Sequence, residues 1–278
     1  MIPNKYLNQV LNTDVMNVLR DLPDNSIDMI YADPDYNVGI DYGGHKYNFK
    51  WDNYIDWYGD LMRESMRVLK EKGNLFTINF PKQNSYLRVK HLDAIAYHVQ
   101  DYSWVYKPVI GMSKRRFTTG HRSILHATKS KENNFYKEAV AIPYVSINDK
   151  RTQATIKDKG YTGRMPYSWF EFNTVNNVSK EKTIHPCQIP LKLARMLFNA
   201  STIKGDTIFV LFGGSGGEVF LAKHMGRNFI SCELNKDYHE MILDRLEQNG
   251  SISSQYKRVQ KKEVEINPFF EKLLSDTE

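Results

Sequence analysis

The stretch from Thr207 to Glu233 constrains the fold more than any other part of the chain. Thr207 to Phe212 is a short apolar run that reads as a buried strand, and the loop Gly213-Gly214-Ser215-Gly216-Gly217 follows it directly. Glu218 to Met225 reads as a helix, Asn228 to Cys232 as a second strand, and Glu233 closes the unit. Strand, glycine loop, helix, strand, acid is a nucleotide-binding arrangement. Glycines let a backbone come close to a ligand, and a helix start offers unpaired N–H groups. A carboxylate at the end of the second strand can accept two hydrogen bonds from a ribose diol. This much leaves a nicotinamide cofactor and S-adenosylmethionine both open.

The same alternation governs the amino-terminal part. Val15, Val18, Leu19 and Leu22 follow the i, i+3, i+4, i+7 rule of an amphipathic helix, with Asp14 placed to cap it. Pro23-Asp24-Asn25-Ser26 makes a turn, and Ile27 to Ala32 reads as a buried strand. A helix over Tyr54 to Leu69 precedes Gly73 and a strand over Leu75 to Ile78. Leu191 to Phe198 and Asp237 to Leu246 read as further helices. Strands that alternate with helices predict an α/β fold: a doubly wound, mainly parallel sheet with helices on both faces.

The middle of the chain breaks that alternation, and it also holds the charge. The whole chain of 278 residues carries +6, but Lys107 to Lys182 has 15 Lys and Arg against 6 Asp and Glu, a local +9 that leaves −3 for the rest. Phe117, Tyr161, Tyr167, Trp169 and Phe172 are interleaved with these cations. Cations suit phosphates and flat rings suit unstacked bases, so the segment reads as a nucleic-acid surface, with Lys114, Arg115, Arg116 and Arg122 as candidate DNA contacts. The expected organisation is a catalytic half over 1–112, a basic recognition region inserted over 113–182, a cofactor-binding half over 183–250 and a tail over 251–278. In the tail, Phe269, Phe270, Leu273 and Leu274 mark a candidate docking helix.

Other classes are disfavoured. No apolar run approaches the roughly 18 residues of a membrane span, and the start MIPNKYLNQVLNTD lacks a signal-peptide core. Two cysteines, Cys187 and Cys232, exclude a disulfide scaffold and a cysteine-based structural zinc site, so the expected setting is a reducing cytoplasm without membrane attachment. Cys232 belongs to an apolar strand and reads as core. His185 has no second ligand at helical spacing, which argues for a hydrogen-bonding role and against a metal site.

The end of the Ile27–Ala32 strand carries Asp33-Pro34-Asp35-Tyr36-Asn37. Open α/β sheets place their sites at such strand ends. Pro34 stiffens the turn, an aspartate can accept a hydrogen bond from an exocyclic amine, and a tyrosine can stack on a base turned out of its helix. Amine methylation by this route needs alignment and electrostatics and no covalent intermediate.

Taken in order, these motifs resemble the amino-methylating DNA methyltransferases with the DPPY motif, specifically the permuted β group. Asn12-Thr13-Asp14 through Leu22-Pro23-Asp24-Asn25-Ser26-Ile27-Asp28 is similar to that family's opening run. Asp33 to Asn37 stands at its DPPYN, and Arg67-Val68-Leu69-Lys70 with Gly73 at its RVLKPGG. His185-Pro186-Cys187-Gln188-Ile189-Pro190 stands at its HPTQKP, Phe212 to Gly216 at its FAGSG, and Arg227 to Glu233 with Tyr238 at its GRNYIGIE run. The match covers about four fifths of the chain.

The resemblance implies a circularly permuted methyltransferase fold with an inserted target-recognition region. It implies transfer of methyl from S-adenosylmethionine to adenine N6 in DNA. Asp33 and the Pro34 carbonyl would hold the amine, Asp35 would share the pocket, and Tyr36 would stack on the flipped base. Asp14 would meet the cofactor adenine, Glu233 its ribose, and Phe212, Gly214, Ser215 and Gly216 would form its loop. His185, Gln188 and Pro190 would support its methionine side. A homodimer is the implied assembly, and a cognate restriction endonuclease is a candidate partner. Two other readings of the same scaffold stay open: N4-cytosine methylation, and a DNA-binding subunit without turnover.

Three departures stand out. Asp35 replaces the second proline. Val210-Leu211 stands where the family has Asp-Pro, whose aspartate helps to bind the cofactor. Gly217-Glu218 replaces Thr-Thr. A buried Asp35 is one candidate to compensate for the acid missing at Val210. Pro186-Cys187-Gln188 imitates the nucleophile motif of cytosine-C5 methyltransferases, but it precedes the glycine loop, the wrong order for that family.

Overall fold

The computed structural model describes residues 1–44, 48–107, 114–160, 163–175 and 182–258. The expected docking helix near Phe269 to Leu274 lies outside the described residues. In chain order the elements are β1 (Gln9–Leu11), α1 (Val15–Asp21), β2 (Ile27–Ala32), α2 (Trp51–Val68), β3 (Leu69–Asn79), α3 (Pro81–Leu87), α4 (Asp93–Ile95), β4 (His98–Val105) and β5 (His121–Thr128). They continue with β6 (Ile142–Pro143), α5 (Lys150–Lys159), β7 (Gly163–Arg164), β8 (Trp169–Glu171), α6 (Leu191–Ser201), β9 (Thr207–Val210), α7 (Gly217–His224), β10 (Asn228–Cys232) and α8 (Lys236–Glu247).

Eight strands form one sheet in the order β1-β10-β9-β2-β3-β5-β4-β8. The pairs from β1 through β3 are parallel, β5 runs antiparallel to both β3 and β4, and β8 is parallel to β4. The sheet is therefore mainly parallel with helices on both faces. Strand β2 shows why: all six of its residues are buried, as required of a strand covered on both sides. Ile30 and Ala32 join a core with Leu19, Tyr54, Tyr58 and Leu61 of α1 and α2. Met29 and Tyr31 point the other way, into a core with Leu193, Leu197, Phe198 and Val219 of α6 and α7. Leu19 is fully buried, and truncating such a leucine to alanine costs about 2–5 kcal/mol.

Local signals explain most of the boundaries. Asp14 caps α1 by accepting the Met16 N–H at 2.7 Å. Asn235 caps α8 through the Tyr238 N–H at 3.1 Å. Helix α2 begins at Trp51, ahead of the expected Tyr54, and β3 begins at Leu69, well ahead of Leu75. The early part of β3, Lys70-Glu71-Lys72, has no strand pattern, but Leu69 pairs with Ile27 across an irregular register that resumes at Met29 and Asn74. A tertiary pairing imposes the strand there.

The basic segment is woven into this sheet. Strand β5 lies between β3 and β4, and β8 extends the edge beyond β4. The break in strand–helix alternation over 121–128 is thus a reversal of strand direction inside the sheet. The exposed helix α5 and the small β6–β7 pair lie outside it. Among the described residues no helix is long and apolar enough to cross a membrane.

Candidate functional site

Strands β2 and β9 are neighbours at the centre of the sheet. After β9 the chain moves to β10 on one side, and after β2 it moves to β3 on the other. Such a switch point leaves a crevice at the carboxyl ends of the two strands. A cavity of about 280 Å³ occupies it, lined by Asp14, Asp33 to Tyr36, His185, Gln188, Phe212 to Ser215 and Glu233. Eleven of the residues expected at the catalytic and cofactor sites, scattered from 14 to 233 in the chain, are thereby on one wall or another of a single cavity. Pro190 and Gly216 are not on its lining. Pro190 precedes the first turn of α6, and Gly216, at φ 74°, precedes α7 and packs against Ile242.

The loop after β9 is held from two sides. The Gly213 N–H donates to the Cys232 carbonyl at 2.7 Å, and the Gly214 N–H donates to the Glu233 carboxylate at 2.8 Å. Arg245 of α8, itself buried, donates through Nε to the Ser215 carbonyl at 2.9 Å. Gly214 has φ 53°, a left-handed conformation that favours glycine, and a Cβ there would stand 3.4 Å from the His185 ring. The other Glu233 oxygen accepts the Asn235 N–H at 2.9 Å. Burial raises the Glu233 carboxyl above its usual range despite these donors. His185 stacks edge-on against Tyr238 at 4.8 Å, and burial lowers its pKa to about 4, so the ring is neutral. Its Nδ1 is hydrogen-bonded to the Cys187 carbonyl. Gln188 accepts the Thr183 N–H at 2.8 Å. Burial pushes the Cys187 thiol up, which opposes the thiolate a nucleophile needs. Cys232 is buried core.

The aspartate motif is fixed by α2, β3 and α3. Tyr54 donates to the Asp35 carbonyl at 2.7 Å, and Asn79 donates to the Tyr54 hydroxyl at 2.9 Å. Gln83 donates to the Tyr36 carbonyl at 2.8 Å. Asp35 accepts the Asn37 N–H at 2.6 Å, and Asn37 takes the left-handed φ of 56° that ends the motif. Tyr36 is buried, with its hydroxyl donating to Asp33 and its ring edge-on to Phe80 at 5.3 Å. Burial raises the Asp33 pKa to about 6, against the lowering effect of the Tyr36 hydroxyl and the Arg122 charge.

By sequence Arg122 groups with Lys114, Arg115 and Arg116 on a DNA surface. Those three are exposed, whereas Arg122 is half-buried and turned to the aspartate motif. It donates through Nη1 to the Tyr36 hydroxyl at 2.7 Å and lies over the rings of Tyr36, Phe80 and Trp104. Alternation along β5 puts it there, and only the pairing of β5 beside β3 makes the contact. Tyr31, Tyr42, Trp57, Glu218 and Tyr238 also line the cavity, outside the sequence-based expectations. For Glu218 a signal existed, an acid directly after the glycine loop.

An open α/β sheet with a glycine loop, an acid and an aspartate–tyrosine turn around one crevice defines a class of proteins that bind an adenosine-containing cofactor at the switch point. The family model described as DNA methylase, covering N6 and N4 amino-methylation, matches residues 27–244, and the chain belongs to that family. It is 32% identical over 259 residues to the type II methyltransferase M.HpaI of Haemophilus parainfluenzae, covering 90% of this chain and 79% of that protein. It is 26% identical over 262 residues to the DNA adenine methyltransferase YhdJ of Escherichia coli (strain K12), covering 91% and 88%. Its fold is similar to that of a solved PvuII DNA methyltransferase described as cytosine-N4-specific, with a TM-score of 0.65, 16% identity and 84% of each chain covered. S-adenosylmethionine is the methyl donor of such enzymes, and the residues here fit it: the glycine loop is open at Gly214, Glu233 is already oriented by the loop, and the Tyr31 hydroxyl is a buried polar group without a hydrogen-bond partner.

Proposed function

We propose that this chain is a site-specific DNA methyltransferase that modifies the exocyclic N6 of adenine, on a permuted β-group scaffold. The observation that carries the reading is Asp33. Its carboxylate lies in the same cavity as the glycine loop and Glu233, at the end of a buried strand, with an aromatic ring beside it.

S-adenosylmethionine, when bound, supplies the electrophilic methyl group. Glu233 would hold its ribose, Asp14 its adenine, and Phe212, Gly214 and Ser215 the loop side, with His185 and Gln188 packing behind. Asp33, ionised above about pH 6, accepts an N–H of the target amine and directs the nitrogen lone pair toward the donor. The Pro34 carbonyl takes the second N–H. As the new N–C bond forms, the nitrogen sheds one proton, and Asp33 is the base nearest to receive it. Tyr36 holds Asp33 through its hydroxyl and supplies the aromatic ring beside the extruded base. Asp35, half-buried at the pocket edge, keeps the turn closed through Asn37. Lys114, Arg115 and Arg116 contact phosphates, and the region 113–182 reads the target sequence. A homodimer and a cognate endonuclease are the partners this reading carries.

Adenine is favoured over cytosine by the family motifs and by the YhdJ relative, while the PvuII neighbour keeps N4-cytosine as the second reading. Nucleoside analysis of DNA from cells expressing this chain tests both. N6-methyladenine at one recurring sequence is expected, and N4-methylcytosine in its place would overturn the adenine assignment.

A further inference from the structure

We propose that Glu218 and Tyr31 form the receptor for the amino-acid head group of S-adenosylmethionine, with Glu218 taking the α-ammonium and Tyr31 donating to the α-carboxylate. The inference rests on the cofactor reading above and concerns residues that the reading leaves unused.

Three observations converge. Glu218 stands in the first turn of α7, buried, and lines the cavity. Tyr31 of β2 lines the same cavity with 1% of its surface exposed, and its hydroxyl has no hydrogen-bond partner. A buried tyrosine hydroxyl normally finds a partner, so an unpaired one facing a cavity marks a ligand. Third, Tyr31 is the register partner of Val210 on β9, and both side chains join the core on the α6–α7 face. Position 210 is where the resemblance places an aspartate. Here the strand has an apolar side chain in the core, and the helix turn after the glycine loop offers a carboxylate to the cavity that Tyr31 lines.

Charge balance points to what that carboxylate receives. Asp33, Asp35, Glu218 and Glu233 all line this cavity, and burial raises the pKa of each. Arg122 serves the Asp33 side, and Arg245, which donates to the Ser215 and Gly250 carbonyls, lowers the Glu218 pKa without offsetting its burial. A buried carboxylate near another buried carboxylate needs a cation. The donor carries two, a sulfonium and an ammonium. The sulfonium bears the methyl group destined for the amine at Asp33, so the ammonium remains for Glu218. In this reading the helix turn carries the acid that the strand lacks.

The test compares two cofactor fragments by titration calorimetry on the full chain. S-adenosylhomocysteine has the head group and 5′-methylthioadenosine lacks it. Glu218→Gln keeps the shape and removes the charge, and it is expected to weaken S-adenosylhomocysteine roughly 10- to 100-fold, as for loss of a charge-assisted hydrogen bond. Tyr31→Phe is expected to weaken it several-fold. Neither change should alter 5′-methylthioadenosine binding, which also reports that the variants are folded. Adding Val210→Asp to Glu218→Gln should restore affinity for S-adenosylhomocysteine. Equal losses for both ligands, no loss for S-adenosylhomocysteine, or failure of the Val210→Asp rescue would each overturn the assignment. Failure of the unaltered chain to bind S-adenosylhomocysteine would instead overturn the cofactor reading itself.

Discussion

Arg122 Nη1 lies 2.7 Å from the Tyr36 hydroxyl, across 86 residues of sequence. That hydroxyl in turn donates to Asp33, so a cation on β5 sets the position of the acid on which the chemistry depends. The guanidinium also lies 4.6 Å from the Tyr36 ring centroid and 5.1 Å from that of Phe80. A desolvated cation–π contact of this kind contributes about 2 kcal/mol.

Arg122→Ala should therefore reduce methylation by at least roughly tenfold, since a misplaced active-site group can cost about 10²-fold. S-adenosylhomocysteine affinity should stay within a factor of about two, because the arginine touches the amine side of the cavity. Steady-state kinetics alongside calorimetry make the comparison. A loss of cofactor affinity equal to the loss of rate would reduce Arg122 to a structural role.

Asp33→Ala is expected to abolish methyl transfer while leaving cofactor binding nearly intact. Its pH dependence follows from the carboxyl pKa of about 6. The working form is the carboxylate, so the rate should fall as pH drops through about 6 and level off above about 7. Turnover in Asp33→Ala equal to that of the unaltered chain would remove the proposed centre.

Glu218 links the same cavity to stability. Burial first, and then the nearby Asp33 charge, raise its pKa to about 7, against the lowering effect of its own backbone N–H and of Arg245; burial and then the charge of Glu218 in turn raise the Tyr31 hydroxyl. A carboxyl raised on folding binds more protons in the native state, so its contribution to stability is present below its unfolded pKa of about 4.5 and lost as pH rises through about 7. In the cofactor-free protein, Glu218→Gln should thus raise Tm more at pH 8 than at pH 5. A melting difference that does not change across that range would contradict the buried charge.

Replacing Lys114, Arg115 and Arg116 together by alanine should weaken DNA binding and flatten its salt dependence. Each lost phosphate contact reduces the slope of log affinity against log salt by about 0.9. Fluorescence anisotropy over a salt series measures it, and an unchanged slope would move the DNA surface elsewhere.

Much of the scaffold is legible in the chain because its signals are local. Ile27 to Ala32 and Asn228 to Cys232 are strands with the expected limits, since short apolar runs between turns leave little choice. Asp14 caps α1 as its position suggests, and the loop between Phe212 and Gly217 bends where its glycines allow. Asp33, Tyr36 and Glu233 meet in one cavity because strand ends of an open sheet converge at its switch point.

What the sequence by itself determined is therefore the elements towards the two ends of the chain, the α/β class and the residue types that bear the chemistry. The tertiary structure decided which of them meet. Strand β5 carries a basic residue that reads as a DNA contact, and only its antiparallel pairing with β3 turns Arg122 onto Tyr36. Tyr31 reads as a core residue, and only its register with Val210 and the docking of α7 leave its hydroxyl unpaired in the cavity with Glu218. Periodicity and capping act over a few residues, whereas strand register is a choice among distant partners, settled by how the whole sheet buries its two faces.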